Sequence, residues 1–381
     1  MSQDQLREHR RYLADSRKMQ AYRAALDEVV KTGDVVLDLG AGSGILGYLA
    51  CDAGAGSVVA VDNRDAIALA RQIAEKNGYG PRITHVKKLS TDLSLDPLAD
   101  VIVCDQIGGL VHDAGILGYF NDARRRLLAP GGRLVPASFR VFLAPVAFPR
   151  ARETIEFWGS APQSLDVSSA RSYAVNTEWR FELRKDDVDP LAPGQELASF
   201  ESYHDEAIKG RAAFVIDRAG QFDGFIGWFI AEMSPSVTMT NDPFSSKRFD
   251  RWCNFLPVDV PMALEAGDTV AVNLGIRPRL EITTWSTRVE REGRSLLEAK
   301  QSTLDGRFLT KEAVRSHRRE QPVSVTSGIS LAREVLDLVD GARSRAEIES
   351  TMAHHIGSAF VSQDQLQQFI RAVLAPIGRA G

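Results

Sequence analysis

Three cysteines in 381 residues (Cys51, Cys104 and Cys253) cannot build a disulfide framework, and no Cys-x-x-Cys pair offers zinc a site. Cys51 and Cys104 lie in apolar stretches and read as buried thiols. A surplus of one charge is missing too. Lys plus Arg is 46 and Asp plus Glu is 50, a net of −4, so the basic excess of a nucleic-acid coat is absent. No apolar run approaches the ~18 residues of a membrane helix. The opening MSQDQLREHRRYLADSRK lacks the apolar core of a signal peptide. A cytoplasmic protein is expected, with neither nucleic acid nor membrane as partner. At 44% apolar and 25% charged residues the composition is that of a globular chain. At roughly 100–200 residues per domain, its length allows two or three domains.

What is present divides the chain by texture. Over 4–30, Leu6, Tyr12, Leu13, Met19, Tyr22, Leu26, Val29 and Val30 recur at helical spacing. Strand-like runs follow at Val35–Leu39, Ser57–Val61, Ile83–Val86, Val101–Cys104 and Arg133–Val135, with helical stretches at about 44–53, 64–77 and 115–128. Continuous β-branched runs alternating with helices imply a doubly wound α/β layer with a parallel sheet. After Pro136, alternation at Phe139–Ala144, Trp179–Leu183, Ala212–Asp217, Gly224–Glu232, Thr269–Leu274 and Arg279–Thr284 predicts an antiparallel β-domain. From about Pro322 two apolar stripes predict a helical tail, preceded by the basic run Arg315, His317, Arg318, Arg319. The expected units are a helix over 1–34, an α/β domain over 35–137, a β-domain over 138–310 and a helical module over 320–381.

The sharpest signal is VVLDLGAGSGILG, residues 35–47. A strand ends at Asp38-Leu39, and Gly40, Gly42 and Gly44 make a tight turn into a helix, where glycine lets the backbone approach a ligand. A dinucleotide loop wants its third glycine one position later, against a pyrophosphate. The G-x-G-x-G spacing here is the pattern of S-adenosylmethionine methyltransferases. Asp38 can accept from the loop or, through water, from the methionine ammonium. Asp62, ending the next strand, can accept both ribose hydroxyls. Leu89 and Ser90 follow the third strand, where Leu89 can pack on adenine and Ser90 can meet its exocyclic amine.

Four further stretches resemble the protein arginine N-methyltransferases, with this chain a divergent bacterial-type member. His9-Arg-Arg-Tyr12-Leu13-Ala-Asp15-Ser-Arg-Lys18-Met-Gln-Ala-Tyr22 is similar to that family's cofactor-covering helix. His9, Leu13, Asp15 and Tyr22 match, while Lys18 replaces the arginine that grips the cofactor carboxylate and loses its bidentate fork. VIVCDQIGGLVHDAGIL (101–117) resembles the loop whose two glutamates clamp the substrate guanidinium. Asp105 takes the first glutamate position and Ala114 the second, with Asp113 adjacent. Phe249 to Pro257 resembles the family's Thr-His-Trp loop, with Trp252 matching and Arg251 in the histidine position. The excursion at about 151–175 is similar to its dimerisation arm.

The resemblance implies a Rossmann-like cofactor domain, an antiparallel β-barrel and a homodimer through the arm. It implies S-adenosyl-L-methionine as cofactor, S-adenosyl-L-homocysteine as product, and N-methylation of a protein or peptide. Candidate catalytic residues are Asp105, His112, Asp113 and Arg251, with His112 a possible base oriented by Asp113. Candidate cofactor residues are His9, Lys18, Asp38, Gly40, Gly42, Gly44, Asp62, Leu89 and Ser90; no metal is expected. A small-molecule acceptor, favoured by Ala114 and Arg251, and a non-catalytic cofactor-binding scaffold are the alternatives. His204-Asp205 and His354-His355 read as surface pairs. Leu336 to Gly341 with Ala346-Glu-Ile348 resembles the small helical modules that hold leader peptides.

Overall fold

The computed structural model describes residues 3–184, 186–204, 207–307, 327–356 and 363–374. The expected N-terminal helix is two helices, α1 (Gln3–Ala14) and α2 (Ser16–Val29). The break is at Asp15, whose carboxylate accepts from the Lys18 amide at 3.0 Å and caps α2 instead of continuing α1. Tyr22, Ala25, Leu26 and Val29 form the buried stripe of α2. Burying a leucine of that kind contributes roughly 1.5–3 kcal/mol.

The parallel half follows its sequence pattern closely. β1 (Val35–Leu39), β2 (Ser57–Asp62), β3 (Ile83–Lys87), β4 (Ala99–Val103) and β5 (Leu128–Val135) pair in the order β3-β2-β1-β4-β5, every pair parallel. Crossover helices α3 (Ile45–Asp52), α4 (Ala66–Lys76) and α5 (Ile116–Arg126) cover the sheet. From β1 the chain winds outward through β2 and β3, then returns to β4 on the other side. Such a reversal opens a crevice at the carboxyl ends of β1 and β4. The glycine loop follows β1 and Asp105 follows β4.

The second half comprises β6 (Ser138–Ala147), α6 (Pro149–Glu156), α7 (Arg171–Val175), β7 (Trp179–Phe181), β8 (Asp189–Pro190), β9 (Gln195–Glu201), β10 (Ile208–Val215), β11 (Gly220–Glu232), β12 (Thr238–Thr240), β13 (Cys253–Leu264), β14 (Thr269–Arg277), β15 (Ile282–Arg291) and β16 (Arg294–Ser302). They form two antiparallel sheets, β7-β13-β11-β6-β8, with β9 on β6 and β12 on β11, and β10-β14-β15-β16. The strand expected at Arg279–Thr284 begins later, because Pro278–Leu280 is a 3-10 turn and β15 starts at Ile282. β13 was hidden in the sequence by Pro257 and Pro261 and by its nearly unbroken burial at the start. β16 is polar along most of its length, so it carries little alternation.

The tail holds three helices rather than two stripes alone: α8 (Ser327–Asp337), α9 (Arg345–Ile356) and α10 (Gln363–Leu374). Leu331, Val335, Ile348, Met352, Phe369 and Ile370 bury against one another and against Ile282 and Leu304 of the β-half. The basic run at 315–319, Asp205 and the side chain of His355 lie outside the described residues. No described helix is long and apolar enough to cross a membrane. The three cysteines are free and buried, Cys51 and Cys104 as their apolar surroundings in the sequence implied.

Candidate active site

The glycine loop is held down before any ligand is considered. Gly40 and Ala41 donate to Val61 O at 2.9 and 3.0 Å, which ties the loop to the end of β2. Gly40, Gly42 and Gly44 all have positive φ, a region that costs an L side chain energy. Gly42 is also confined in space, since a Cβ there would stand 2.9 Å from His9 Cε1. His9 therefore covers the loop from α1, as the covering helix was expected to do.

Two carboxylates face this loop from the strand ends. Asp38 is fully buried; its Oδ2 accepts from the Gly47 amide at 2.9 Å, and its Oδ1 has no hydrogen-bond partner among the described residues. Burial raises its pKa to about 7. An orphaned buried carboxylate oxygen is costly unless a donor arrives, and the ammonium of a methionyl group is such a donor. Asp62 accepts from Gly42 N at 2.9 Å and Arg64 N at 2.7 Å, which fixes its rotamer and leaves further lone pairs for hydroxyl groups. Beside it, Leu39, Gly40, Leu89, Ser90, Gln106 and Tyr119 help line a cleft of about 60 Å³. Leu89 is 46% exposed at its edge. Arg126 grips Ser90 O at 2.9 Å and Leu93 O at 2.8 Å, and so sets the turn that carries Ser90. The donor set thus fits an S-adenosyl ligand: acid for ammonium, acid for ribose, apolar side chain and hydroxyl for adenine.

On the other wall, Asp105 is crowded. Lys18 Nζ reaches its Oδ2 at 2.5 Å, and the Tyr22 hydroxyl donates to its Oδ1 at 3.2 Å and to Cys104 O at 2.9 Å. Arg251 lies 3.7 Å from Oδ1 and donates to Asp105 O at 3.3 Å. Lys18 and Arg251 are both almost fully buried. Desolvation lowers the Lys18 pKa against the pull of Asp105. The Arg251 guanidinium lies 5.5 Å from the Tyr12 ring centroid and 4.7 Å from that of Trp252, distances at which cation–π attraction operates.

The structure places His112 and Asp113 in a second cluster, with Glu178 and Thr283 rather than beside Asp105. His112 Nδ1 lies 3.0 Å from Leu110 O, and its Nε2 lies 3.3 Å from Glu178 Oε2 and 3.3 Å from Thr283 Oγ1. Burial works against the imidazolium, but Glu178 outweighs it and lifts the pKa to about 9. A histidine that holds its proton at neutral pH is no general base there. Asp113 accepts from Leu110 N at 3.1 Å and Trp252 Nε1 at 3.2 Å and pairs with Arg180 at 2.9 Å. These three contacts hold Asp113 against the loop and Arg180, away from Asp105. Both residues line a polar cavity of about 260 Å³ with Glu178, Glu281 and Arg307. Glu178, bonded also by Thr283 Oγ1 at 2.6 Å and by Asn254, escaped the sequence reading. A lone acid before a short strand carries no local signal. Among the described residues, no cluster of His, Cys, Asp and Glu is placed to hold a metal.

The profile of the ribosomal protein L11 methyltransferase family (PrmA) matches residues 23–136. The chain is 30% identical over 169 residues to probable protein arginine N-methyltransferase 6 of Arabidopsis thaliana, a match covering 44% of this chain and 39% of that protein. It is 28% identical over 280 residues to the arginine N(omega)-methyltransferase of Streptomyces achromogenes subsp. streptozoticus, covering 70% of this chain and 75% of that one. The chain therefore spans about two fifths of the plant relative and three quarters of the bacterial one. The fold matches the Trypanosoma brucei PRMT1 enzyme–prozyme heterotetramer with AdoHcy at a TM-score of 0.67 and 20% identity, over 77% of this chain and 96% of that one. It matches Arabidopsis protein arginine methyltransferase 10 at 0.66 and 20%, over 78% and 97%. The resemblance read from the motifs is borne out: these relatives and neighbours are arginine methyltransferases.

Proposed function

We propose that this relative of the arginine N-methyltransferases is an S-adenosylmethionine-dependent methyltransferase acting on an arginine guanidinium nitrogen, with a protein or peptide as the expected acceptor. The observation that carries the reading is the placement of the glycine loop after β1 and Asp105 after β4, on the two sides of one crevice. Bound there, the cofactor supplies a methyl group on a sulfonium sulfur, and homocysteinyl product remains. Asp38 takes the ammonium on its free Oδ1, Asp62 takes the ribose hydroxyls, and Leu89 and Ser90 take the adenine. Lys18 leaves Asp105 for the cofactor carboxylate, with His9 closing over Gly42. Asp105, released from Lys18, orients the acceptor nitrogen. Catalysis of this kind rests on position, because holding nucleophile and methyl group about 3 Å apart replaces a bimolecular encounter.

The two antiparallel sheets are read as walls of one barrel. The segment at about 151–175 is read as an arm joining two copies in the cytoplasm, supported by Phe157 and Leu165, which are 48% and 65% exposed. A monomer in sedimentation at micromolar concentration would remove the arm. The reading as a whole is tested by incubating the full chain with labelled S-adenosylmethionine and arginine-containing peptides or free arginine. Release of S-adenosylhomocysteine and a methyl mass increment on a guanidinium are expected. Increment on free arginine but on none of the peptides would favour the small-molecule alternative, and no release would favour a scaffold.

A further inference from the structure

Arg251 has fewer partners than a buried guanidinium requires. It is 3% exposed, yet its shortest polar contact is 3.3 Å, to Asp105 O, with Tyr12 Oη at 3.4 Å and the Asp105 carboxylate at 3.7 Å. Its Nε is buried with no hydrogen-bond partner among the described residues. A guanidinium carries five donors and is costly to desolvate without an opposing charge. Asp105, the acid nearest to it, is already bound by Lys18 and Tyr22.

Charge arithmetic then constrains what can join this cluster. As it stands, Lys18 and Arg251 face the single carboxylate of Asp105, which leaves an excess of one positive charge. If Lys18 turns to the cofactor carboxylate, Arg251 and Asp105 balance. Adding an arginine side chain from the middle of a polypeptide restores the excess, because Ala114 supplies no second acid. Adding an arginine whose α-nitrogen is acylated and whose carboxylate is free brings one charge of each sign and keeps the balance, with the cation on Asp105 and the anion on Arg251. Arg251 also has the right shape, since its planar fork matches a carboxylate's two oxygens.

We infer that Arg251 binds a carboxylate belonging to the methyl acceptor, so that the acceptor is a guanidino acid with its own carboxylate free. This rests on the guanidinium reading given above. The chemistry is met by an arginine at a peptide's carboxyl terminus, and by free arginine where its additional α-ammonium pairs outside this cluster; the ion pair between Asp105 and Arg251 opens to receive either.

Calorimetric titration of the full chain saturated with S-adenosylhomocysteine separates these sources. The probes are L-arginine against agmatine, which lacks only the carboxylate, and Gly-Gly-Arg against its carboxyl-terminal amide. At least tenfold tighter binding of the carboxylate-bearing member is expected in one pair or both. The pair showing the gap identifies the source. R251M is expected to abolish the gap and R251K to retain part of it, each variant first shown by thermal melting to be folded. Equal binding within both pairs overturns the inference and leaves the guanidinium reading standing. A guanidine series that does not bind overturns both. Loss of S-adenosylhomocysteine binding in R251M would assign Arg251 to the cofactor carboxylate and also overturn it.

Discussion

The two walls of the crevice differ in how much of their chemistry is left open. On the glycine-loop wall, Asp38 keeps a buried oxygen without a partner and Asp62 is pinned by two amides, so the backbone has prepared acids for a ligand that brings donors. On the acceptor wall, Asp105 is already held by Lys18, Tyr22 and Arg251, and Asp113 by Arg180 and Trp252. One wall waits for a partner and the other has supplied its own. A cofactor shared across a family allows the first to stay constant, whereas the second is free to change with the acceptor.

The largest effect that would sharpen this contrast is structural. Glu178→Ala removes the partner of a buried imidazolium in the second cluster, behind the acceptor wall, and losses of that kind cost about 3–5 kcal/mol. Chemical denaturation of the full chain at neutral pH is expected to show it. The effect depends on pH in a stated direction. His112 has a folded pKa raised to about 9, against ~6.5 when unfolded. The pair's stability is therefore complete below about 6.5 and fades as pH rises towards 9 and beyond. The gap between wild type and variant should narrow over that window. A gap of constant size would mean that His112 is not the charged partner.

Next comes the cofactor wall. Asp62→Ala deletes two charge-assisted hydrogen bonds, each worth about 1.5–3 kcal/mol, so affinity for S-adenosylhomocysteine should fall by about 100-fold or more in a fluorescence titration. Unchanged affinity would place the ribose elsewhere and break the comparison on its better-defined side. The smallest effect is a slope. With Asp38 titrating at about 7, a ligand that needs its carboxylate binds more tightly as pH rises, by about tenfold between pH 6 and 8. Asp38→Asn should flatten that profile; a profile that persists in the variant would detach the ammonium from Asp38.

Legibility in the sequence follows the same division. The parallel sheet was readable because both its faces are covered, so each strand is a short apolar run between helices, and the ligand acids stand at strand ends. Asp38 and Asp62 needed only local context. The acceptor wall is assembled across distance: Lys18 and Asp105 are 87 residues apart, and Arg251 and Asp105 are 146. No spacing rule joins them. His112 was found as a candidate, but its meaning was set by Glu178 and Thr283, on a strand approach and a strand whose positions depend on the whole β-half. The helix break at Asp15 was missed because Asp15 looks like one more polar residue on an amphipathic face. Its capping role appears only once the chain turns.

That same residue joins the two walls mechanically. One oxygen of Asp15 caps α2 and the other accepts from the Asp250 amide at 2.7 Å, while Arg11 pairs with the Asp250 carboxylate at 2.8 Å. Swinging α1 off Gly42 must unfasten this clasp, and Asp250 is the neighbour of Arg251. On the reading proposed above, the cover over the glycine loop and the residue beside Arg251 would therefore move together, so that cofactor exchange would also loosen the hold on an acceptor.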